Sequence, residues 1–281
     1  MKKQLSILLP LFEYKKGITE ILDSIIYLDL SLKQKIEIIL SDDSLNPLFE
    51  ENDLNYYRSF DLDIIYISNK IRKGAINNWN FLISQSSGEY QWLLHHDEAI
   101  YNHKIFFLNL FNLINKYQPD LIVLDLIVER ILFNKLKLVY SHTPHRFLIY
   151  FLIRLKWPIL FINYIGSPSC LIVKRNNTYI FDNKLQWLVD VNTYFNLFLS
   201  DLKNIQYFNN FGSIISHTDF RSSITQSIKD DIPYISSTEL KSILMKYKIP
   251  KINKFYIIIF KFLYKIYRIS RIRISLCKFI W

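Results

Sequence analysis

Short apolar runs recur through the first 98 residues, and polar or turn-forming residues close three of them. Residues 5–9 end at Pro10, 36–40 at Ser41-Asp42-Asp43-Ser44, and 90–94 at His95-His96-Asp97-Glu98, with a further run at 63–67. Runs this short and rich in Ile and Leu read as buried strands. The stretches between them carry apolar residues at helical spacing. Ile18, Ile21, Leu22, Ile25 and Ile26 form one such face, and a second helix carries Ala75, Asn78, Trp79, Phe81 and Leu82. Strands alternating with helices predict parallel βαβ units with right-handed crossovers, an α/β class.

In sheets of this kind ligands bind beyond the carboxyl ends of the strands. Three of those ends carry polar clusters: Glu13 after the first strand, Asp42 and Asp43 after the second, and His96, Asp97 and Glu98 after the fourth. Acidic residues after strands are also ordinary turn formers and helix caps. Three clusters at corresponding strand ends point instead to one shared polar site.

The chain has 281 residues, half of them hydrophobic, enough for one large domain or two small ones. Cys170 and Cys277 lie far apart without CxxC partners. A disulfide scaffold and a cysteine zinc site are excluded, and a reducing compartment fits. The apolar run after Met1-Lys2-Lys3 is broken by Glu13, Lys15 and Lys16, so no cleavable signal peptide is expected. The longest apolar region, 147–165, contains Arg154, Lys156 and Pro158, so no clean transmembrane helix is expected either.

The formal net charge is +10, yet all 25 acidic residues lie at or before Glu239. The body is therefore close to neutral, and the positive charge belongs to the tail. Within it, Lys254, Lys261, Lys265 and Arg268 fall on one side of a helix whose other sides are mostly Phe, Ile, Leu and Tyr. Two readings are open for this helix. It can lie in a bilayer interface with its cations toward anionic headgroups, or pack on the protein with a solvated basic face. A neutral body without a recognised nucleic-acid motif argues against nucleic acid as a partner.

The segment from Asn69 to Glu98 is the most specific in the chain. It holds Asn77-Asn78-Trp79-Asn80, then Gly88-Glu89-Tyr90, then His96-Asp97-Glu98. This order closely resembles family 2 glycosyltransferases of the GT-A fold. The opening around Pro10, Phe12 and Glu13 looks like that family's first strand and nucleotide loop, and Ser41-Asp42-Asp43-Ser44 like its second. Gly166-Ser167-Pro168-Ser169 and Trp187-Leu188-Val189-Asp190 resemble its acceptor-side loop and its catalytic-base segment. The resemblance spans roughly residues 4–225, in order.

What the resemblance implies has physical reasons. A nucleotide-sugar donor leaves as a nucleoside diphosphate, whose developing charge a divalent cation stabilises. Mg²⁺ or Mn²⁺ is the implied cofactor, with Asp97 and Glu98 supplying hard oxygen ligands. The family commonly has two or three aspartates here, so His96 and Glu98 are departures, and which carboxylate ligates directly stays open. Adjacent His95 and His96 make a poor zinc site by themselves, because neighbours on an extended chain point to opposite sides. His217 lies where some relatives place a phosphate- or metal-contacting histidine. Asp190 takes the general-base position, although an aspartate before 191–199 is also a common helix cap. Pro10, Phe12, Glu13, Asp42, Arg72, Gly74 and His96 are the nucleotide-side candidates. Asp42 is suited to accept from a base N–H, Glu13 from a base or a ribose hydroxyl. Arg72 either reaches phosphate or is solvated. Gly74 either admits the nucleotide to the backbone or ends a turn. Asn77, Asn78 and Asn80 are helix-surface amides or order the donor loop.

The expected organisation is a mixed, mainly parallel GT-A sheet with flanking helices over residues 1–240 and a basic amphipathic membrane-associating tail over 241–281. The expected function is inverting transfer from a nucleoside diphosphate sugar to the hydroxyl of a saccharide, lipid-linked and destined for bacterial surface polysaccharide. The expected place is the cytoplasm, peripheral on the inner face of an anionic membrane. A nucleotidyltransferase of similar fold and a catalytically silent sugar- or nucleotide-binding relative are the alternatives.

Overall fold

The alternation read from the sequence becomes a seven-stranded sheet. The computed structural model describes residues 3–100, 102–132, 136–143, 146–175, 179–200, 202–208, 214–217, 230–249, 254–270 and 272–276. In chain order, β1 (Leu5–Leu11), α1 (Lys15–Ile26), α2 (Leu30–Lys33), β2 (Ile36–Asp42), α3 (Glu51–Arg58), β3 (Ile64–Ser68), α4 (Ala75–Gln85) and β4 (Tyr90–Leu93) form the first half. Then follow β5 (Glu98–Ile100), α5 (His103–Tyr117), β6 (Leu121–Leu124), β7 (Leu126–Leu132), β8 (Leu136–Ser141) and α6 (Arg146–Leu155). The remainder comprises β9 (Leu171–Lys174), α7 (Val189–Leu199), β10 (Ile205–Phe208), β11 (Ile214–His217), α8 (Ile232–Lys246), α9 (Lys254–Ser270) and β12 (Ile272–Leu276).

The main sheet runs β10-β6-β9-β4-β1-β2-β3, with β4, β1, β2 and β3 parallel and β9 antiparallel to both β4 and β6. A smaller sheet, β12-β8-β7-β11-β5, adjoins it. Every residue of β1 and β2 is buried, as near-continuous apolar strands covered on both faces require. On α1 the face predicted from spacing is the buried one: Ile18, Ile21, Leu22, Ile25 and Ile26. Each such side chain contributes about 1.5–3 kcal/mol of burial as an upper estimate. Under α5 the core is aromatic, with Trp92, Phe106 and Phe208 meeting ring to ring at 5.3 and 5.2 Å.

Three expectations change. The first strand does not stop at Leu9 but runs through Pro10 to Leu11. Its pairing with β4 ends at Leu8, while β2 accompanies it to Leu11. Pro10 therefore sits where one flank has no ladder partner to miss its absent N–H. The boundary after residue 240 falls inside α8, whose Ile243 is buried in the core. Lys246 of α8 pairs with Asp182 at 3.0 Å, and the Tyr247 ring meets Phe195 at 5.0 Å. The body therefore extends at least through Ile249, which also packs on the core. The tail beyond it is not all helix: α9 ends at Ser270, and β12 pairs antiparallel with β8. Among the described residues no helix is long and apolar enough to cross a membrane.

Candidate active site

The sheet order β4-β1-β2 brings the three polar clusters side by side at one edge. After β1 the chain turns through Phe12 and Glu13. Glu13 takes a left-handed φ of 51°, and its N–H donates to Ser44 Oγ at 2.8 Å, tying the first turn to the second. The Arg72 guanidinium lies 4.2 Å from the Phe12 ring centroid, a cation–π contact at the exposed rim. Phe12, Glu13 and Arg72 are thus gathered together.

Asp42 is not free to read a base in this arrangement. It is 1% exposed. Its Oδ1 accepts from the Ser44 N–H at 2.9 Å, and its Oδ2 from the Leu48 N–H at 2.7 Å and the Tyr66 hydroxyl at 2.6 Å. These bonds close the turn after β2, which is the local role acidic residues after strands take. Asp43, its neighbour, holds the loop between β3 and α4. It accepts from the Lys73 N–H at 2.7 Å, the Gly74 N–H at 2.8 Å and Asn69 Nδ2 at 3.2 Å. Gly74 has φ 79°, which strains any residue with a Cβ, although the space around it is open. It also precedes α4 as its N-cap. Asp43 therefore fixes both the entry to α4 and the loop that carries Arg72.

The asparagines of α4 have three separate tasks. Buried Asn78 donates to the Ser41 carbonyl at 3.0 Å and accepts from the Ser41 hydroxyl at 2.5 Å. Asn80 exchanges two hydrogen bonds with the backbone of Phe181, and Asn77 accepts from Asn183 Nδ2 at 2.9 Å. The helix α4 is thus tied to the segment that leads into Asp190.

Beyond β4 the loop 95–97 meets the Gly166–Ser169 motif, because antiparallel β9 brings its start to the end of β4. The His95 N–H donates to Ser169 Oγ at 3.0 Å, and Trp92 Nε1 to the Ser169 carbonyl at 2.8 Å. Gly166 has φ 111°, and a Cβ there would sit 2.8 Å from Leu126 Cδ2 and 3.0 Å from Cys170 Sγ. The Tyr194 hydroxyl donates to its carbonyl at 3.1 Å. The His96 ring lies 5.6 Å from that of Tyr14.

Asp97 and Glu98 part company. Asp97 is partly exposed, and no hydrogen bond or ion pair with a described residue occupies its carboxylate. Glu98 is 6% exposed, and its Oε1 accepts from the Ser167 hydroxyl at 2.5 Å. Burial, then the charge of Asp97, pushes the Glu98 carboxyl up to about 7, against the lowering effect of the Ser167 and Ser169 hydroxyls. Asp190 lies in the first turn of α7, where the N-cap is Leu188, so it is not the helix cap. Desolvation, then the charge of Glu98, raises Asp190 to about 7 as well. Glu98 is therefore an electrostatic neighbour of Asp190. Burial lowers His95, which the charge of Asp97 partly offsets.

The backbone register places His217 near this group. Ser216 pairs with Glu98 in the β11–β5 ladder, so the next residue, His217, falls level with Asp97. The His217 side chain lies outside the described residues. Among the buried side-chain polar atoms with no hydrogen-bond partner among the described residues are Glu98 Oε2, His95 Nε2, Tyr179 OH and Asn192 Oδ1. Tyr179 is near enough to Asp190 for that charge to help burial raise its hydroxyl.

As a metal site the group is sparse. Among the described residues no three His, Cys, Asp or Glu side chains cluster for a metal ion. Asp97 by itself fits Mg²⁺ or Mn²⁺ only if substrate phosphates and water complete the shell, which is how Mg²⁺ is commonly held.

A sequence profile described as glycosyl transferase family 2 matches residues 6–176, more than half of the chain. The chain belongs to glycosyl transferase family 2. No curated protein sequence matches it. Among solved structures, S. aureus TarS shares the fold at TM-score 0.57 and 16% identity, over 83% of this chain and 39% of that one. S. aureus TarS 1–349 in complex with UDP-GlcNAc gives TM-score 0.59 and 16% identity, over 83% and 65%. The mannosyltransferase PcManGT from Pyrobaculum calidifontis, in complex with GDP-Man and Mn²⁺, gives TM-score 0.50 and 12% identity, over 96% and 84%. The family 2 chain described here therefore spans less than two thirds of the TarS chains it matches. These likenesses place it in the GT-A fold expected from the sequence.

Several site residues were not legible in advance. Ser167 and Ser169 belonged to a recognised motif, but their bonds to Glu98 and to the loop after β4 depend on β9 running antiparallel. Asp43 looked equivalent to Asp42 until the strand end separated their directions. Glu239, which accepts from the backbone N–H groups of Gln186, Trp187 and Leu188, carried one signal: it is the last acidic residue of the chain.

Proposed function

We propose that this family 2 protein transfers a sugar from a nucleoside diphosphate sugar to a saccharide hydroxyl, with inversion and with Asp190 as the general base. The observation that carries this reading is the placement of Asp190. Its carboxylate belongs to the same electrostatic group as Glu98 and the Asp97 strand end, and its proton affinity is raised to about 7. A base poised near neutral pH is efficient at taking a hydroxyl proton.

In the proposed step the acceptor oxygen attacks the anomeric carbon and its proton passes to Asp190. The bond from that carbon to the diphosphate oxygen breaks, and the nucleoside diphosphate leaves with the electron pair. Attack opposite the leaving group inverts the anomeric centre. Asp97, with His217 level with it, would hold the divalent ion, which supplies charge stabilisation at the departing diphosphate. Phe12, Glu13 and Arg72 would receive the nucleotide, with Pro10 and Gly74 shaping the backbone around it. His96 would border it from the loop after β4.

The acceptor is proposed to be lipid-linked and part of surface polysaccharide synthesis, with the protein peripheral on the inner face of an anionic membrane. This rests on exposed aromatic residues of α6 and α9, among them Phe147 at 79% and Phe262 at 63%, beside exposed Lys261 and Lys265. The test is a panel of UDP-, GDP-, CDP- and dTDP-sugars with Mn²⁺, reading nucleoside diphosphate release. Release from one donor, lost in Asp190→Asn, supports the proposal. No release from any donor with a range of saccharide acceptors would overturn it.

A further inference from the structure

We infer that Glu239 is a positioning residue for the catalytic base, acting from α8 through the backbone that leads into Asp190. The inference rests on the assignment of Asp190 as base.

The carboxylate of Glu239 is buried and receives three successive backbone N–H groups. Its Oε1 accepts from Gln186 at 2.5 Å and from Trp187 at 3.4 Å, and its Oε2 from Trp187 at 3.1 Å and Leu188 at 2.8 Å. Consecutive N–H groups converging on one carboxylate form an anion nest. The charge makes each bond stronger than its neutral counterpart. Leu188, at the N-cap of α7, has no side-chain oxygen with which to satisfy the helix start. Glu239 brings a negative charge to that end from another element, where the helix dipole favours it.

Two residues beyond Leu188 is Asp190. The segment before it is held at its other end by Asn80 and Asn77 of α4. Glu239 is held in turn by the packing of α8, through buried Ile243, the Lys246–Asp182 pair and the Tyr247–Phe195 contact. Asp190 therefore takes its place between a donor-side anchor and an anchor from the C-terminal helix. Removing the second anchor loosens the base against the acceptor while leaving the nucleotide loops after β1 and β2 intact.

The experiment uses the full chain with Glu239→Gln, which keeps one carbonyl acceptor, and Glu239→Ala, which keeps none. Turnover is read as nucleoside diphosphate release from the donor active in the panel, and backbone mobility by hydrogen exchange. For Glu239→Ala, kcat falls about 10- to 100-fold, the order expected for a misplaced catalytic group, with donor KM within about twofold. Glu239→Gln falls between this and the parent. Exchange in peptides covering 186–190 rises while that in β1 and β2 peptides is unchanged. Three results would overturn the inference: kcat unchanged in both variants, an equal loss in kcat and donor affinity, or exchange raised throughout the sheet. Asp190→Asn, measured in parallel, separates the two ideas. If it keeps parental turnover, the base assignment fails whatever the Glu239 variants show.

Discussion

Asn80 and Phe181, far apart in sequence, exchange two hydrogen bonds: Asn80 Nδ2 donates to the Phe181 carbonyl at 2.8 Å, and the Phe181 N–H donates to Asn80 Oδ1 at 2.9 Å. An amide side chain here mimics a strand partner and locks α4 to the segment that leads into Asp190. Asn80→Ala leaves both backbone groups without partners. It should destabilise the protein by about 1–3 kcal/mol, seen as a lower denaturation midpoint, and lower turnover more than donor binding. Asn80→Asp keeps the acceptor and loses the donor, so it should fall between. Equal midpoints for all three proteins would show that the pair contributes nothing.

Asp190→Asn preserves size and removes the ability to take a proton. Turnover should fall by about 10²- to 10⁴-fold, while donor affinity measured by calorimetry stays close to the parent. In the parent, kcat/KM should rise with pH and level off above about 7, because the reactive form is the carboxylate and the raised value of Asp190 sets the inflection. Glu98→Gln removes a neighbouring charge and should move that inflection to lower pH. An inflection unmoved by this change would mean that burial alone sets the proton affinity of Asp190.

The same two groups make stability depend on pH. Glu98 and Asp190 are both raised in the folded protein, to about 7, above the usual carboxylate range near 4. Between about pH 4 and 7 the folded state therefore binds more protons than the unfolded state, and stability falls as pH rises through that window. Ligand-free protein should melt at a higher temperature at pH 5 than at pH 8. The Glu98→Gln, Asp190→Asn double variant should lose most of that difference. A parent that is more stable at pH 8 would contradict this electrostatic picture.

The fold was readable because it rests on local pattern. The buried face of α1 and the strand identity of β1, β2, β3 and β4 follow from residue spacing, and the placement of the site follows from parallel βαβ order. The direction of a side chain at a strand end was not readable, because it depends on which oxygen meets which backbone group across the sheet. Asp42 and Asp43 look alike in sequence, yet one closes its own turn and the other holds Lys73 and Gly74. Asp97 and Glu98 likewise diverge, because Glu98 meets the Ser167 hydroxyl and the charge of Asp190, 69 or more positions away. The amphipathic pattern of α9 was legible. The pairing of β12 with β8 was not, since strand partnership over more than 130 residues leaves no local trace.

Metal dependence should centre on Asp97. Asp97→Ala should weaken Mn²⁺ binding in the presence of nucleoside diphosphate, measured by electron paramagnetic resonance, and reduce turnover by up to several kcal/mol of leaving-group stabilisation, on the order expected for such an ion. Glu98→Gln should leave Mn²⁺ binding nearly unchanged, because Glu98 is buried against Ser167. The opposite pattern would make Glu98 the ligand.

The tail provides the last test. On α9, Phe255, Ile258, Phe262 and Leu263 are exposed, while Tyr264 is buried with its hydroxyl on the His142 carbonyl at 3.1 Å. One side of the helix thus packs on the body and another presents apolar groups outward, and Phe147 and Phe151 of α6 are exposed as well. Insertion of an aromatic or aliphatic side chain contributes about 1.5–3 kcal/mol at full burial. Each Lys or Arg near an anionic surface adds about 1 kcal/mol, screened by salt within a Debye length. The apolar share should dominate, so high salt should release the protein from phosphatidylglycerol vesicles only in part. A Phe147→Ser, Phe151→Ser, Phe255→Ser, Phe262→Ser variant should stay in the supernatant at both salt concentrations and still turn over a water-soluble acceptor. Truncation after residue 250 should behave similarly, because α8 and Glu239 remain. Truncation after residue 240 should not, because it removes Ile243, Lys246 and Tyr247 from their contacts with the core, Asp182 and Phe195. If the serine variant pellets as fully as the parent, the outward face of α9 is not the membrane contact.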